Sequence, residues 1–429
     1  MKNNTVAEIN TTVTASRHSS MALLAREAVK KRLANMANGT IMIRDPRGEW
    51  FTGVGNRIDA TVTVHDMRFY QQILTSGTKG AAAAWRDGLW SCPDLTTLLR
   101  IMTRNIESLY AFETGTARLM NFWETLKHRL RSNTRKGSQE NIHAHYDLGN
   151  DMFELFLDRT MTYSAGIFRQ PDATLEQASI EKLDTICRKL ELNASHHLIE
   201  IGSGWGSFAI HAATHFGCKV TTTTISKDQY KLASERIAAA GLQDRITLLL
   251  CDYRDLEGQY DRLVSIEMIE AVGHEFLPRY FSKCASLLKD NGHMLIQAIT
   301  MPDQRYAQYL KRTDFIQQFI FPGSCVPSLT AMLNAATTHT DLRIEHIENI
   351  GPDYATTLHC WLDNFRANRE RISALGYDEK FMRIWEYYLC YCEAGFRERY
   401  LGDVHLLMHK PKAGRLPLQV AGQSDSHTT

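Results

Sequence analysis

The chain has 429 residues, too many for one ordinary domain and enough to bury a substantial core. Its 49 Lys and Arg residues almost balance its 48 Asp and Glu residues, which argues against nucleic-acid binding by bulk electrostatics. The nine cysteines lack metal-ligand spacing and indicate reduced cytosolic thiols and no metal site, and no stretch reaches the roughly 18 apolar residues of a spanning helix.

The amino-terminal part predicts a small α+β domain between two segments with little to bury. Residues 1–20 are polar and predict a disordered tail, as do residues 412–429 at the other end. Residues 21–126 contain apolar residues at helical spacing in MALLAREAVKKRLANM, two short strands around a turn in GTIMIRDPRGEWFTG, and a further strand with amphipathic helices. A basic linker, residues 127–140, follows in KHRLRSNTRKGSQE.

Residues 141–411 predict a second, larger α/β domain. From about residue 196 the strands HLIEIG, CKVTTTTI, RITLLLC, RLVSIEM and HMLIQAI alternate with helices. Long helical segments follow at roughly 354–374 and 379–399, with LRIEHIENI and DVHLLMHK as late strands. This order predicts a doubly wound parallel sheet.

A glycine-rich turn follows the first strand of this domain. In LIEIGSGWGS, Glu200 ends the strand, and Gly202, Gly204 and Gly206 lie where glycine lets the backbone approach a ligand. The G-x-G-x-G spacing is tighter than the dinucleotide pattern, and the acid that a nicotinamide enzyme needs about 20 residues later is missing. A plain tight turn is the alternative interpretation.

Polar residues at the ends of the next two strands are candidates for ligand contacts. TTTTISKDQ offers Thr224, Ser226 and Gln229 as neutral hydrogen-bonding groups, although Ser226 also fits a helix N-cap. CDYRDL offers Asp252 and Tyr253 for an adenine, and a packed loop tyrosine is an equal alternative. These segments alone do not decide between the two interpretations.

Together these segments resemble the cyclopropane-fatty-acyl-phospholipid synthase family, which includes mycolic acid cyclopropane synthase-like methyltransferases. The resemblance covers about residues 140–410 and is carried by IHAHYDLGNDMFELFLDRTMTYSAGIF, LIEIGSGWGS, SIEMIEAVGH, DFIQQFIFPGSCVPSL and YYLCYCEAGFRERYLGDV. The first 130 residues look like the smaller domain that longer bacterial members place against lipid. The resemblance implies a seven-stranded Rossmann-like class I methyltransferase sheet, S-adenosylmethionine as methyl donor, and an unsaturated phospholipid as substrate.

The resemblance also implies which residues contact the donor. They fall into four groups: Tyr163 and Ser164 for its methionine part, Glu200, Gly202, Gly204, Trp205 and Gly206 around its centre, Thr224, Ser226 and Gln229 for its ribose, and Tyr253 for its adenine. An alkene is a poor nucleophile, so the sulfonium supplies the driving force and the protein supplies placement and an apolar wall that excludes water.

Ring closure then needs a base that takes a proton from the added methyl group. In similar enzymes a bicarbonate does this, held by a glutamate, a tyrosine, a histidine and a cysteine. Glu270 and Tyr354 match two of these positions, whereas Gln297 stands where some members have histidine and Ala165 where the family often has cysteine. We favour a retained bicarbonate over proton transfer to Glu270 itself. A structural carboxylate that fixes the following turn is the alternative for Glu270.

Cys392 in YYLCYCEAGF aligns with a cysteine sometimes proposed as a nucleophile in this family. Direct methyl transfer needs no covalent intermediate on the protein. We therefore rank helix packing first for this thiol and a catalytic role second.

The resulting prediction is a cytoplasmic enzyme, peripherally associated with the membrane, that forms cyclopropane fatty acids in unsaturated phospholipids. The resemblance suggests a homodimer, and the basic linker could attract an anionic surface by about 1 kcal/mol per charge. The alternatives are a methyl-branched product, a small-molecule N-methyltransferase of the related plant type, and a lipid-binding protein without catalysis. Ala271 counts against the plant type, which has histidine there.

Overall fold

The strands of this protein form two sheets, seen in a computed structural model that describes residues 20–54, 59–107 and 149–416. The strands are β1 (Thr40–Asp45), β2 (Gly48–Thr52), β3 (Asp59–Val64), β4 (Trp90–Ser91), β5 (His197–Ile201), β6 (Lys219–Thr224), β7 (Ile246–Leu250), β8 (Tyr260–Ile266), β9 (Leu288–Thr300), β10 (Arg343–Asn349) and β11 (Gly402–His409). Within these ranges, no helix is long and apolar enough to cross a membrane.

The α-helices cover both sheets. In chain order they are α1 (Ser20–Leu33), α2 (Arg68–Arg86), α3 (Leu95–Arg104), α4 (Asn150–Phe156), α5 (Leu175–Lys189), α6 (Ser207–Phe216), α7 (Lys227–Ala239), α8 (Leu277–Leu287), α9 (Asp303–Tyr309), α10 (Phe315–Phe319), α11 (Leu329–His339), α12 (Gly351–Ala367), α13 (Arg369–Ala374) and α14 (Glu379–Arg397). The predicted long helical segments near the carboxyl end are confirmed, with a break between α12 and α13 at Asn368.

The small sheet has the order β2-β1-β3-β4 and packs against α1, α2 and α3. The predicted hairpin is present, because β1 and β2 pair antiparallel up to Asp45 and Gly48. This α+β unit is fixed to the rest of the protein by polar contacts between α3 and α14. The Nε atoms of Arg100 and Arg104 donate to the Glu398 carboxylate at 2.7 and 2.5 Å.

The large sheet has the order β10-β11-β9-β8-β5-β6-β7. Strands β9, β8, β5, β6 and β7 run parallel, whereas β11 lies antiparallel between β9 and β10. The predicted doubly wound sheet of seven strands is confirmed. Because β8 is central and β5 is its parallel neighbour, the loops that follow these two strands meet at one edge of the sheet.

An aromatic cluster joins helix α4 to the long helices α12 and α14. At its centre is Phe156, which is fully buried. Its ring centroid lies within 6.4 Å of five other rings, those of Phe153, Tyr163, Trp361, Phe365 and Trp385. These contacts hold the helical cover of the sheet together through dispersion and apolar burial.

The predicted boundaries agree with the structure only in part. Helix α1 begins at Ser20, inside the predicted amino-terminal tail. The predicted carboxyl-terminal tail is wrong for residues 412–416, because Leu416 is buried and Gly414 O lies 3.0 Å from Nε2 of His293. The predicted linker, residues 127–140, lies outside the described residues.

We expect Phe156→Ala to lower the free energy of unfolding by about 3 to 5 kcal/mol, because it removes a large buried side chain and leaves a cavity. Urea unfolding followed by circular dichroism measures the change. Leu375→Ala, at a 45% exposed position, is the control and should change stability by less than about 1 kcal/mol. Equal losses in both variants would contradict the central role of Phe156.

Candidate active site

A cavity of about 330 Å³ opens at the carboxyl ends of the parallel strands. Its walls come from the loops after β5, β6, β7 and β8, and from the inner faces of α12 and α14. Open α/β sheets bind ligands at this edge. The cavity is therefore the candidate active site.

The glycine turn after β5 forms one end of the cavity. Gly202 and Gly204 have φ values of 96° and 49°, in the region that favours glycine. The N–H groups of Gly202 and Ser203 donate to Thr223 O at 3.1 and 2.8 Å, which holds the turn against β6. A Cβ on Gly202 would lie 3.2 Å from Cγ of Met268, so a side chain at this position would have to displace Met268. Trp205 continues this wall.

Two of the predicted donor contacts do not line the cavity. Gly206 is the N-cap of α6, and a Cβ there would lie 3.4 Å from Cβ of Ala233, so this glycine allows α6 to approach α7. Ser226 is the N-cap of α7 and accepts from the Gln229 backbone N–H at 3.3 Å, as its alternative interpretation predicted. Gln229 does reach the cavity wall, where its Oε1 accepts from Thr224 Oγ1 at 2.8 Å.

Tyr253 lines the cavity at the end of β7. Its ring contacts Tyr280 edge-on, with 5.5 Å between the ring centroids. The preceding Asp252 accepts from Arg254 Nε at 2.8 Å. This tyrosine is packed and also lines the cavity, so its contact with an adenine stays a prediction.

A buried lysine lines the cavity near Glu200, and the sequence analysis did not identify it. Lys182 is 1% exposed, and its Nζ donates to Ser164 Oγ at 2.9 Å. Burial lowers the pKa of Lys182 to about 8 and raises the pKa of nearby Glu200 to about 7. Glu200 accepts from Thr222 Oγ1 at 2.5 Å. The sequence could have indicated this burial, because Lys182 lies at helical spacing between Ala178 and Ile186 on the buried face of α5.

Three acids, which we call the carboxylate cluster, lie together at the cavity: Glu267 and Glu270 line it, and Asp403 lies behind them. Glu267 is the centre, and the sequence did not single it out. Its Oε1 accepts from the Ala165 backbone N–H and from Gln297 Nε2, both at 2.8 Å, and its Oε2 accepts from Tyr354 OH at 2.7 Å. Its φ of 46° is left-handed, a strained state that is frequent at functional sites.

The other two acids of the cluster favour their neutral forms. Burial raises the pKa of Asp403 well above its usual range, and the charge of Glu267 raises it further. Burial, followed by the charge of Glu267, raises the pKa of Glu270 to about 8. Burial also raises the pKa of Glu267, but its three donors and nearby Lys182 favour the charged form. Among the three acids, Glu267 accepts the most hydrogen bonds, and such bonds favour a charged carboxylate.

The predicted catalytic residues are brought together, but in a different arrangement from the one expected. Glu270 and Tyr354 line the cavity, whereas Gln297 lies behind Glu267, with its amide also 3.2 Å from Asp403 Oδ2. The Ile299 N–H donates to Glu270 Oε1 at 2.6 Å, and Glu270 Oε2 has no hydrogen-bond partner within the described residues.

Cys392 also faces the cavity, and burial raises the pKa of its thiol. A protonated thiol is a weak nucleophile. This agrees with helix packing as the first interpretation of Cys392. Tyr163, the remaining predicted donor contact, lines the same wall, and its hydroxyl lies 2.9 Å from the hydroxyl of Tyr388.

The bicarbonate implied by the resemblance does not fit the donors in this arrangement. The Ala165 N–H, the Gln297 amide and the Tyr354 hydroxyl already donate to Glu267. A bicarbonate at the same place would need these donors and would add a second negative charge beside Glu267, which is costly in an enclosed site.

A family model described as mycolic acid cyclopropane synthetase matches residues 133–406, more than half of the chain. The chain belongs to this family. It is an S-adenosylmethionine-dependent methyltransferase. The structure of mycolic acid cyclopropane synthase CmaA1, complexed with SAH and CTAB, superposes with a TM-score of 0.60 at 32% identity, covering 63% of this methyltransferase and 98% of that chain.

Two relatives with assigned activities cover most of this methyltransferase. Tuberculostearic acid methyltransferase UfaA1 from Mycobacterium tuberculosis is 40% identical over 342 residues, which are 78% of this chain and 79% of that protein. Cyclopropane-fatty-acyl-phospholipid synthase from Escherichia coli is 34% identical over 352 residues, which are 79% of this chain and 85% of that protein. Both alignments are longer than the family match over residues 133–406, so the similarity extends beyond it.

We expect Gly202→Ala to weaken S-adenosylhomocysteine binding by about tenfold or more, because the new Cβ pushes Met268 and displaces the turn. Calorimetry measures the affinity. Gly241→Ala is the matched control, since Gly241 also has a positive φ of 68° but its Cβ would meet nothing within 4 Å. An unchanged affinity in Gly202→Ala would argue against this turn as the donor site.

Glu270 should make the stability of the protein depend on pH. Its pKa is raised from 4.5 to about 8, so the stability that its protonated form confers is present below pH 4.5 and is lost as the pH rises through about 8. Between these values the wild type should lose up to about 1.4 kcal/mol per pH unit relative to Glu270→Gln. Urea unfolding at several pH values measures this difference.

Glu275→Gln, at an exposed position on the same loop, is the control for the removal of one carboxylate. A stability difference between wild type and Glu270→Gln that stays constant from pH 5 to pH 8 would show that the Glu270 carboxyl is not held in its neutral form.

Proposed function

We propose that this methyltransferase adds the methyl group of S-adenosylmethionine to a cis double bond in a phospholipid acyl chain. Loss of a proton from the added methyl group then closes a cyclopropane ring. The observation that carries this proposal is the continuity of the cavity. One wall is the glycine turn with Thr224 and Gln229, the opposite wall is apolar, and two acids lie between them.

The donor end fits a cationic sulfonium compound. Gly202 and Gly204 let the backbone approach it, Gln229 and Thr224 offer neutral hydrogen bonds, and Tyr253 offers a ring face. The bound donor supplies an electrophilic methyl group. The residues of this chain hold that group in line with the double bond, which removes much of the entropic barrier.

The other end of the cavity fits an acyl chain. Its apolar lining includes Ile316, Phe321, Leu358, Phe396 and Leu401. This lining excludes water that would capture the carbocation. The cluster supplies the complementary charge, because the carboxylate of Glu267 stabilises positive charge developing nearby and needs no rearrangement at the moment of reaction.

The proposal also includes a membrane-bound phospholipid as the source of the acyl chain. Such a substrate requires contact with a lipid surface, so the enzyme would associate peripherally with the cytoplasmic face of the membrane. The resemblance is the support for this location and for a homodimer.

A methyl-branched acyl chain is the second candidate product. Its support is the 40% identity to the tuberculostearic acid methyltransferase. The same carbocation would then lose its proton to give a branched alkene, and a saturated branch would require a separate hydride donor. The two candidates share every step up to proton loss.

The test is incubation of the purified protein with labelled S-adenosylmethionine and vesicles of cis-monounsaturated phospholipid. We expect a labelled acyl chain heavier by one CH2 unit in mass spectrometry, and proton NMR separates a ring from a branched alkene. No labelled lipid, in a preparation that binds donor and vesicles, would rule out both candidates.

A variant tests where the acyl chain lies. Ile316→Trp should lower lipid methylation by about 10- to 100-fold, because the larger ring fills the apolar end of the cavity, while S-adenosylhomocysteine affinity stays unchanged. Leu375→Trp, at an exposed position, is the control. Full activity of Ile316→Trp would mean that the acyl chain enters elsewhere.

A further inference from the structure

The carboxylate of Glu267 occupies a site built to hold an anion. Its three donors come from separate parts of the chain: the loop before α5 with Ala165, strand β9 with Gln297, and helix α12 with Tyr354. Each donor is 2.7 or 2.8 Å from a carboxylate oxygen. Three short hydrogen bonds to one enclosed carboxylate favour its charged form.

The same carboxylate also reaches the cavity. Glu267 follows the last residue of β8 and forms part of the cavity wall, together with Glu270 and Tyr354. Its left-handed backbone turns the chain at this point. A purely structural acid would not need to face the space where the substrate binds.

We propose that Glu267 stands in for bicarbonate and is the group that accepts the proton from the methylated carbocation. This inference rests on the proposed function. In the step, a C–H bond of the added methyl group breaks and its electron pair forms the third ring bond. The proton moves to a carboxylate oxygen of Glu267. No oxidant, reductant or further reactant is needed.

Placement matters more than base strength in this step. A proton next to a carbocation is strongly acidic, so even a carboxylate weakened by three hydrogen bonds can accept it. A carboxylate on the chain also requires no binding from solution, unlike bicarbonate. Glu270 is less suited, because its raised pKa, about 8, keeps it largely protonated at neutral pH.

The first experiment measures anion binding and does not depend on activity. Carbon-13 NMR of labelled bicarbonate is recorded with the S-adenosylhomocysteine-loaded wild type, Glu267→Ala and Glu267→Gln. We expect saturable binding only in Glu267→Ala, where the donors are released and space is created. Saturable binding by the wild type would overturn the inference.

The second experiment measures lipid methylation. The wild type should be equally active with and without bicarbonate, in buffer freed of carbon dioxide. Glu267→Ala should lose about 100-fold or more of kcat and regain at least about tenfold with added formate, whereas Glu267→Gln should not be rescued because its amide fills the space. Loss of wild-type activity without bicarbonate, or failure of formate to rescue Glu267→Ala, would contradict the assignment.

Controls separate a folding defect from a chemical one. Glu275→Ala, an exposed acid, should behave as the wild type in both experiments. S-adenosylhomocysteine affinity within about threefold of the wild type shows that a variant keeps its donor site. If the wild type methylates no lipid, the proposed function fails and the proton-acceptor role fails with it, while the NMR experiment still decides whether Glu267 occupies the anion position.

Discussion

A carboxylate enclosed at the end of β8 must be satisfied by hydrogen bonds, because an unpaired charge in an apolar cavity is costly. The fold supplies them to Glu267 from a loop, from a neighbouring strand and from the helical cover. These bonds connect the sheet to α12 at the wall of the cavity, between the glycine turn and the apolar wall. The position of Tyr354, Gln297 and the loop at Ala165 follows from this one charge.

The charge also sets the state of its neighbours. Burial, followed by the charge of Glu267, raises the pKa values of Glu270 and Asp403, so the three acids are not all ionised together. The reaction that we propose passes through a sulfonium and a carbocation, both positive. A fixed negative charge in an enclosed site stabilises such species more than water does, because the groups of the site are already oriented before the reaction.

Much of the architecture could be predicted from the sequence. Alternating apolar strands and helices indicated all seven strands of the large sheet, since buried parallel strands require continuous apolar runs. The glycines of LIEIGSGWGS indicated the tight turn after β5 from local sequence alone. The exception was the predicted carboxyl-terminal tail. The stretch after residue 411 is short and mostly polar, and the burial of Leu416 there depends on side chains distant in sequence.

The candidate site, like the fold, was predicted from the sequence only in part. Residue type and spacing determined the fold class and the glycine turn, because local patterns carry this information, and the family resemblance implied the candidates Glu270 and Tyr354. Only the tertiary structure decided that Gly206 and Ser226 serve packing and capping, that Lys182 is buried beneath the donor site, and that Gln297 and Tyr354 converge on Glu267. Hydrogen bonds between residues 18 to 87 positions apart depend on how the elements pack, and no local pattern records that.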